Sequence, residues 1–312
     1  MSSPSSSRQK RPSAANLLSR FLSQEDLRFL EQTSFLTTQR IRGLQTGIHK
    51  ARLRGGTTEF SEHRPYTPGD EIRRLDWRVA GRSDKLEIKL YDDPSTLGTV
   101  VLLDASGSMA FSDSTRTKFD YGCSVTAFLA KLLLGQRDPV GLLLAGDETP
   151  DFLWPKSSTG HFLTILNSLR DTEPEGKTKL AEGLRFLSRN LRNPTRVIIV
   201  SDAFADLSTL EPEISRITGK QHRFHFLQVL APEEVGFNYR QPLRFSNLEG
   251  SDHLDANPQE MASAYLEAIE GHIAGLRKIC LRYRGGYEPL VTDQPVGQSL
   301  VDFIRRNSQR KQ

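Results

Sequence analysis

The stretch Thr99-Val100-Val101-Leu102-Leu103-Asp104-Ala105-Ser106-Gly107-Ser108-Met109 decides the fold. Its first half is a continuous, almost wholly apolar run. A strand buried on both faces of a parallel sheet has this pattern, whereas a half-exposed strand alternates. Polarity switches abruptly at Asp104, and oxygen-bearing side chains then stand on alternate positions, at Asp104, Ser106 and Ser108. In open α/β sheets, ligand sites form beyond the carboxyl ends of the strands. The switch therefore predicts both a buried strand and a site at its end.

Working outward, the chain repeats a strand–helix alternation. Lys118–Leu134 carries Phe119, Val125, Phe128, Leu129 and Leu132 at helical spacing. Val140–Leu144 is a second strand, with Asp151–Trp154 as its edge partner across a turn at Gly146-Asp147. Gly160–Leu169 and Leu180–Leu191 read as helices, Arg196–Val200 as a buried strand, Leu207–Ile217 as a helix and Phe224–Leu230 as a strand. Such alternation predicts a doubly wound, mostly parallel sheet with helices on both faces and right-handed crossovers. After it come a long helix over about Pro258–Leu281, a Gly-rich turn and a final basic helix. His222 and His225 beside the last strand read as structural, and Gly250–Asp255 as a polar loop.

Two further polar groups fall where the first site would be. Ser201-Asp202 follows the Arg196–Val200 strand, and Gly176-Lys177-Thr178 precedes a helix. Asp104, Ser106, Ser108, Thr178 and Asp202 together make an all-oxygen donor set. A hard divalent cation, Mg²⁺ or Mn²⁺, takes such ligands in a near-octahedral shell. With three of the five ligands neutral, a carboxylate from a partner is an attractive sixth. A site of that kind binds protein rather than performing catalysis. The competing expectation is that Asp104 and Asp202 only cap turns at strand ends.

An Asp-x-Ser-x-Ser after the first strand, a Thr before a later helix and an Asp after the fourth strand resemble the metal-ion-dependent adhesion site of von Willebrand factor type A domains. Upstream, Gly56-Thr57-Thr58-Glu59-Phe60-Ser61-Glu62-His63-Arg64-Pro65-Tyr66-Thr67-Pro68-Gly69-Asp70-Glu71-Ile72-Arg73-Arg74-Leu75-Asp76-Trp77 resembles the signature of the bacterial family called domain of unknown function number 58. Gly47-Ile48-His49 is similar to its upstream Gly-x-His element. Gly81-Arg82 stands where that family commonly has Ala-Arg. The resemblance spans roughly residues 25–235. It implies a von Willebrand A-like domain, a MoxR-type AAA+ ATPase as partner, and a chaperone-like role in maturation or assembly of a client protein. Within the signature it singles out His49, Glu59, Phe60, Arg64, Tyr66, Pro68, Gly69, Asp70, Arg73, Asp76, Trp77 and Arg82 as structural or partner-binding residues.

On its own chemistry, Pro68-Gly69-Asp70 suits a tight turn. Ile72–Ala80 and Leu86–Tyr91 read as strands, and Arg64, Arg73 and Arg74 as ion-pair partners of neighbouring acids. Trp77, Phe60 and Ile72 are the expected core anchors of a small β-rich unit. Residues 16–46 read as helical, with Leu17, Phe21, Leu27, Leu30 and Leu36 at roughly helical spacing and Ser23 with Asp26 as a capping box. The chain is thus expected to divide into a disordered tail (1–15), a helix and β-rich extension (16–95), a von Willebrand A-like domain (96–235) and a C-terminal helical segment (236–312).

Composition narrows the function classes. Of 312 residues, 37% are apolar and 26% charged, which is globular, and no run approaches the ~18–20 apolar residues a membrane span needs. The amino-terminal Ser-Pro-Ser stretch has no apolar core, so a secretory signal is not expected and a cytoplasmic location is. The two cysteines, Cys123 and Cys280, sit in apolar surroundings and read as reduced, buried thiols. The net charge of +4 is uneven, with basic segments near the amino terminus, over 39–54 and in the tail. No aromatic interleaving accompanies them, so nucleic acid is not the expected partner and a basic nucleic-acid-associated scaffold ranks third. No nucleotide-binding motif occurs, and neither a Gly-x-Ser-x-Gly elbow nor a second acid two residues after Asp104 is present. A metal-dependent hydrolase is therefore the second reading, and a non-catalytic metal-dependent protein-binding module the first.

Overall fold

The structure is a computed structural model that describes residues 14–33, 60–66, 75–83, 86–91, 97–112, 116–146, 151–237, 243–246, 253–256 and 258–309. Its centre is a six-stranded sheet formed by β3 (Gly98–Asp104), β4 (Val140–Ala145), β5 (Asp151–Lys156), β6 (Thr195–Ser201), β7 (Arg223–Leu230) and β10 (Gly286–Val291). The spatial order is β10-β7-β6-β3-β4-β5. β3 pairs in parallel with both β4 and β6, β6 with β7 and β7 with β10, whereas β5 runs antiparallel to β4 at the edge. This is the expected doubly wound, mostly parallel arrangement.

The apolar runs predict their own burial. Val100 to Leu103 and Val197, Ile199 and Val200 are each essentially solvent-free. Alternate residues of each strand serve opposite faces. Val101, Leu103, Ile198, Val200, Leu227 and Val229 pack under α1 (Ala14–Phe21), α2 (residues 24–33), α4 (Lys118–Gly135), α5 (Thr159–Asp171) and α10 (Val296–Gln309). Val100, Leu102, Val197, Ile199, Phe224 and Phe226 pack under α6 (Leu180–Asn190), α7 (Leu207–Gly219) and α9 (Pro258–Arg282). Full burial of one such side chain contributes about 1.5–3 kcal/mol, so helices on both faces are needed to realise the strands' apolar content. Both cysteines are free and buried, and burial raises both thiols above their ordinary range.

Outside the sheet the outcome is mixed. Strand β1 (Phe60–Pro65) pairs antiparallel with β2 (Glu87–Tyr91), as the extension's β character predicted. Of the expected strand over Ile72–Ala80, residues 72–74 lie outside the described residues, and Trp77 to Ala80 form the start of a helix, α3 (Trp77–Ser83). The Asp76 carboxylate accepts the Arg78 N–H at 3.0 Å, and its carbonyl accepts those of Val79 and Ala80 at 3.1 and 3.0 Å. Local closure by an Asx residue outweighs the β pattern there. Trp77 is not a core anchor: at the start of α3 it is 66% exposed. The side chain of Phe60 and all of Ile72 lie outside the described residues.

The helical reading of 16–46 is broken at Leu22-Ser23, where α1 gives way to α2. The Ser23–Asp26 capping box forms, with each backbone N–H held by the other's side chain at 3.0 and 3.1 Å. Residues 1–13 of the expected tail and 34–46 of the expected helix lie outside the described residues. The segment 236–312 is not purely helical. It supplies a hairpin of β8 (Leu243–Ser246) and β9 (His253–Ala256), the second strand overlapping the polar loop expected over Gly250–Asp255, and it supplies β10, the sixth strand of the sheet. The sheet therefore extends beyond the 96–235 span expected for it. The short helix α8 (Pro232–Gly236) follows β7.

Candidate metal centre

β3 and β6 end side by side, Leu103 opposite Val200, so Asp104 and the Ser201-Asp202 pair emerge at the same edge. The loop after β3 tightens into a 3₁₀ turn over Gly107–Ala110. It is laced to the loop before α6 by the Gly107 N–H on the Gly176 carbonyl (2.9 Å) and the Glu175 N–H on the Ala105 carbonyl (3.0 Å). Gly176 has φ 69°, in the left-handed region where only glycine is unstrained. That turn brings Thr178 back over the end of β3.

Four of the five expected ligands touch one another. Asp104 Oδ1 accepts the Ser106 N–H at 3.0 Å, and Oδ2 accepts the Thr178 hydroxyl at 3.2 Å. The hydroxyls of Ser106 and Ser108 are 3.1 Å apart. Ser106 occupies the cap position of the 3₁₀ turn, yet its side chain makes no capping bond. Its hydroxyl faces Ser108 instead. Asp104 and Asp202 each accept the N–H two residues on, of Ser106 and Phe204, as the turn-capping expectation for those two carboxylates has it. Asp104, Ser106 and Asp202 are buried, while Ser108 and Thr178 are half-buried and form the open side.

Asp202 is held differently. Its Oδ1 accepts the Phe204 N–H at 3.2 Å and its carbonyl accepts Gln228 Nε2 at 2.9 Å. Its Oδ2 accepts Lys118 Nζ at 2.7 Å, and the same ammonium donates to Glu234 Oε1 at 2.6 Å. Between Asp202 and Phe204, Ala203 has φ 61° and is buried. A non-glycine residue in that region costs about 1–3 kcal/mol. It is held there by its N–H on Ser201 Oγ (2.9 Å) and its carbonyl 2.7 Å from His272 Nε2.

The electrostatics follow from burial. Desolvation, and then the neighbouring Asp202 charge, lift Asp104 from 3.8 to about 6, against the lowering effect of bonds from Ser201 and Ser106. Burial alone would lower Lys118, but the charges of Asp202 and Glu234 outweigh it and raise its affinity for the proton.

A divalent ion suits this donor set. Ligands about 2.0–2.1 Å from an octahedral ion lie about 2.9 Å apart along an edge. The Ser106–Ser108 separation of 3.1 Å and the Thr178–Asp104 separation of 3.2 Å are close to that edge. Asp104, raised by burial and then by a like charge, is also the kind of carboxylate a cation relieves. Among the described residues, no group of three or more His, Cys, Asp or Glu side chains is placed to hold a metal. The cluster here relies on hydroxyls instead.

Sequence reasoning missed three members. Ser201 donates its hydroxyl to Asp104 Oδ2 at 2.6 Å. Lys118 opens α4 from a position only 1% exposed, and Glu234 sits in α8, just past the end of β7. The available signals were a lysine heading an apolar helix and acids just beyond a buried strand. Of the signature residues, Phe60 and Arg64 lie on β1, and Tyr66 just beyond it, half-buried. Asp76 is buried and Arg82 is exposed on α3. His49, Glu59, Pro68, Gly69, Asp70 and Arg73 lie outside the described residues, as does the basic segment 39–54.

The chain is similar to several known proteins. Two uncharacterized proteins, Rv1480 of Mycobacterium tuberculosis and Mb1516 of Mycobacterium bovis, are each 27% identical over 213 residues, covering 67% of this chain. The match spans 65% of the length of these curated relatives. Among solved structures, the conserved hypothetical protein BatB from Bacteroides thetaiotaomicron has a TM-score of 0.47 at 14% identity, over 68% of this chain and 99% of that one. The SpRpn10 VWA domain has a TM-score of 0.40 at 14% identity, over 66% and 94%. The strand order, rather than these likenesses, establishes the fold. The model of one family matches residues 62–268, more than half of the chain, and the chain belongs to that family, described as Protein of unknown function DUF58.

Proposed function

We propose that this chain is a non-catalytic protein-binding module whose docking point is a divalent cation, Mg²⁺ or Mn²⁺, held by Asp104, Ser106, Ser108 and Thr178, with Asp202 alongside. The observation that carries the reading is the mutual contact of Asp104, Ser106, Ser108 and Thr178 at one sheet edge, with the hydroxyls on the open side. When bound, the ion would supply a Lewis-acidic position for a carboxylate from another chain. Such a contact is charge-assisted and directional, so it selects a partner with little buried area. The protein's own part is to hold the donors rigid. Gly176 and the laced loops fix Thr178, and Ser201 orients Asp104.

A non-catalytic role is supported by how the other carboxylate of the neighbourhood is used. Both oxygens of Glu234 are engaged, Oε1 by Lys118 and Oε2 by the Ala231 N–H at 2.8 Å. A general base must lie within hydrogen-bond reach of the proton it takes, and Glu234 is buried. The resemblance to the family supplies the partner in this proposal, a MoxR-type AAA+ ATPase acting with the module on a client protein.

Binding kinetics against that ATPase, with and without chelator, test the reading. Chelation, or Ser106→Ala with Ser108→Ala, is expected to accelerate dissociation while changing association little. Identical dissociation rates with and without metal would overturn the cation as docking point.

A further inference from the structure

One buried charge beside the site is not used by the metal reading. Lys118 Nζ lies 2.7 Å from Asp202 Oδ2 and 2.6 Å from Glu234 Oε1, with the lysine side chain 1% exposed. The ring of Phe204 stands 4.8 Å from the ammonium and that of Phe111 5.6 Å. Glu234 is aimed at it by the capping bond to the Ala231 N–H. Burying an ammonium costs several kcal/mol unless it is paired and hydrogen-bonded, and here two carboxylates and two aromatic faces are arranged to hold it.

The two site carboxylates are consequently unlike. Asp104 receives only neutral donors, the Ser106 N–H and the hydroxyls of Ser201 and Thr178. Asp202 already carries a full positive charge on Oδ2 and an N–H on Oδ1. A cation arriving at the hydroxyl cluster finds one carboxylate open to it and the other committed elsewhere.

We propose that Lys118 is a positioning residue that withholds Asp202 from direct ligation, and thereby leaves a divalent ion at Asp104, Ser106, Ser108 and Thr178 with surplus positive charge for a partner's carboxylate. This rests on the metal reading above and adds a regulator to it. Glu234 sets the strength of the restraint: it shares the ammonium, so the more firmly Glu234 holds Lys118, the more weakly Lys118 holds Asp202.

The triad therefore predicts opposite effects from its two ends. In the full chain, Mn²⁺ is titrated calorimetrically into wild type, Lys118→Met and Glu234→Gln. Lys118→Met frees Asp202 and is expected to tighten Mn²⁺ by roughly tenfold or more, the scale of one charge–charge contact near a protein surface. Glu234→Gln keeps an acceptor for the ammonium but removes its competing charge, and is expected to weaken Mn²⁺ by roughly threefold to tenfold. Should Lys118→Met alone fail to fold with two unpaired carboxylates, the double variant Lys118→Met with Glu234→Gln carries the same expectation of tighter binding. A triad that only supports the fold would weaken the metal in every variant. Weakening throughout, or equal affinity throughout, would overturn the role of Lys118 while leaving the metal site standing. No Mn²⁺ binding by any form, wild type included, would overturn both.

Discussion

Asp104 carries a cost that its neighbours relieve only in part. Its folded-state value of about 6 lies above the 3.8 of an unburied aspartate. The sign of the linkage follows: a raised group contributes stability that is fully present below its unfolded value and lost as pH rises through its folded value. Ionised Asp104 therefore destabilises the metal-free protein at pH 7, by up to about 3 kcal/mol. Asp104→Asn keeps a carbonyl acceptor and removes the charge. It is expected to raise the urea midpoint of metal-free protein at pH 7 and to change it little at pH 4, where Asp104 is already protonated in the folded state. An equal change at both pH values would mean that the carboxylate is not under strain from its surroundings. At this scale the meeting of Asp104, Ser106, Ser108 and Thr178 was legible, because strand ends and hydroxyl spacing are local properties. Ser201, Lys118 and Glu234 were not. Each makes its contact across 97, 84 or 116 residues of chain, and a local signal such as a lysine heading an apolar helix does not name so distant a partner.

Among elements, β10 was the one whose reading failed with the largest consequence. Gly286-Tyr287-Glu288-Pro289-Leu290-Val291 contains a proline and alternates its burial, so it lacks the uninterrupted apolar signal of β3 or β6. It can be a strand because it sits at the sheet edge, where a missing N–H is tolerated. The glycines before and within it permit the approach. A Cβ at Gly285 would stand 2.2 Å from Phe224 Cζ, and one at Gly286 2.7 Å from His225 Cδ2. Gly285→Ala is accordingly expected to cost about 1–3 kcal/mol by overpacking. Gly271→Ala, on α9 with nothing within 4 Å of the new methyl, is expected to gain about 0.5–1 kcal/mol from helix propensity. Urea unfolding of the two variants beside wild type checks the pair, and a stabilised Gly285→Ala protein would deny β10 its packing on β7. The helix α3 failed for a different reason: one Asx residue, Asp76, redirects a stretch whose side chains favour a strand.

For the whole molecule, the terminal elements are tied to the sheet face that carries α4. Asp26 of α2 accepts the Gly297 N–H of α10 at 2.8 Å, and Arg116 donates to the carbonyls of Thr292 and Gln294 at 2.9 and 3.0 Å. The loop that leads into α4, and hence to Lys118, is anchored by the turn between β10 and α10. Among the described residues, no helix is long and apolar enough to cross a membrane. The doubly wound plan was legible because alternation of buried strands and amphipathic helices is a period-by-period property. The closing of the sheet by a distant sixth strand was not, because an edge strand's signal is weak. The account stands on the cluster at the end of β3 and β6 being a cation site. Its most direct test is electron paramagnetic resonance of Mn²⁺, whose free hexaaqua signal falls as the ion binds, in wild type, Asp104→Ala and Thr178→Ala. The account predicts one Mn²⁺ site per wild-type chain, lost in Asp104→Ala and weakened in Thr178→Ala. A wild-type chain that leaves the free signal undiminished, or an Asp104→Ala chain that quenches it equally, would contradict it.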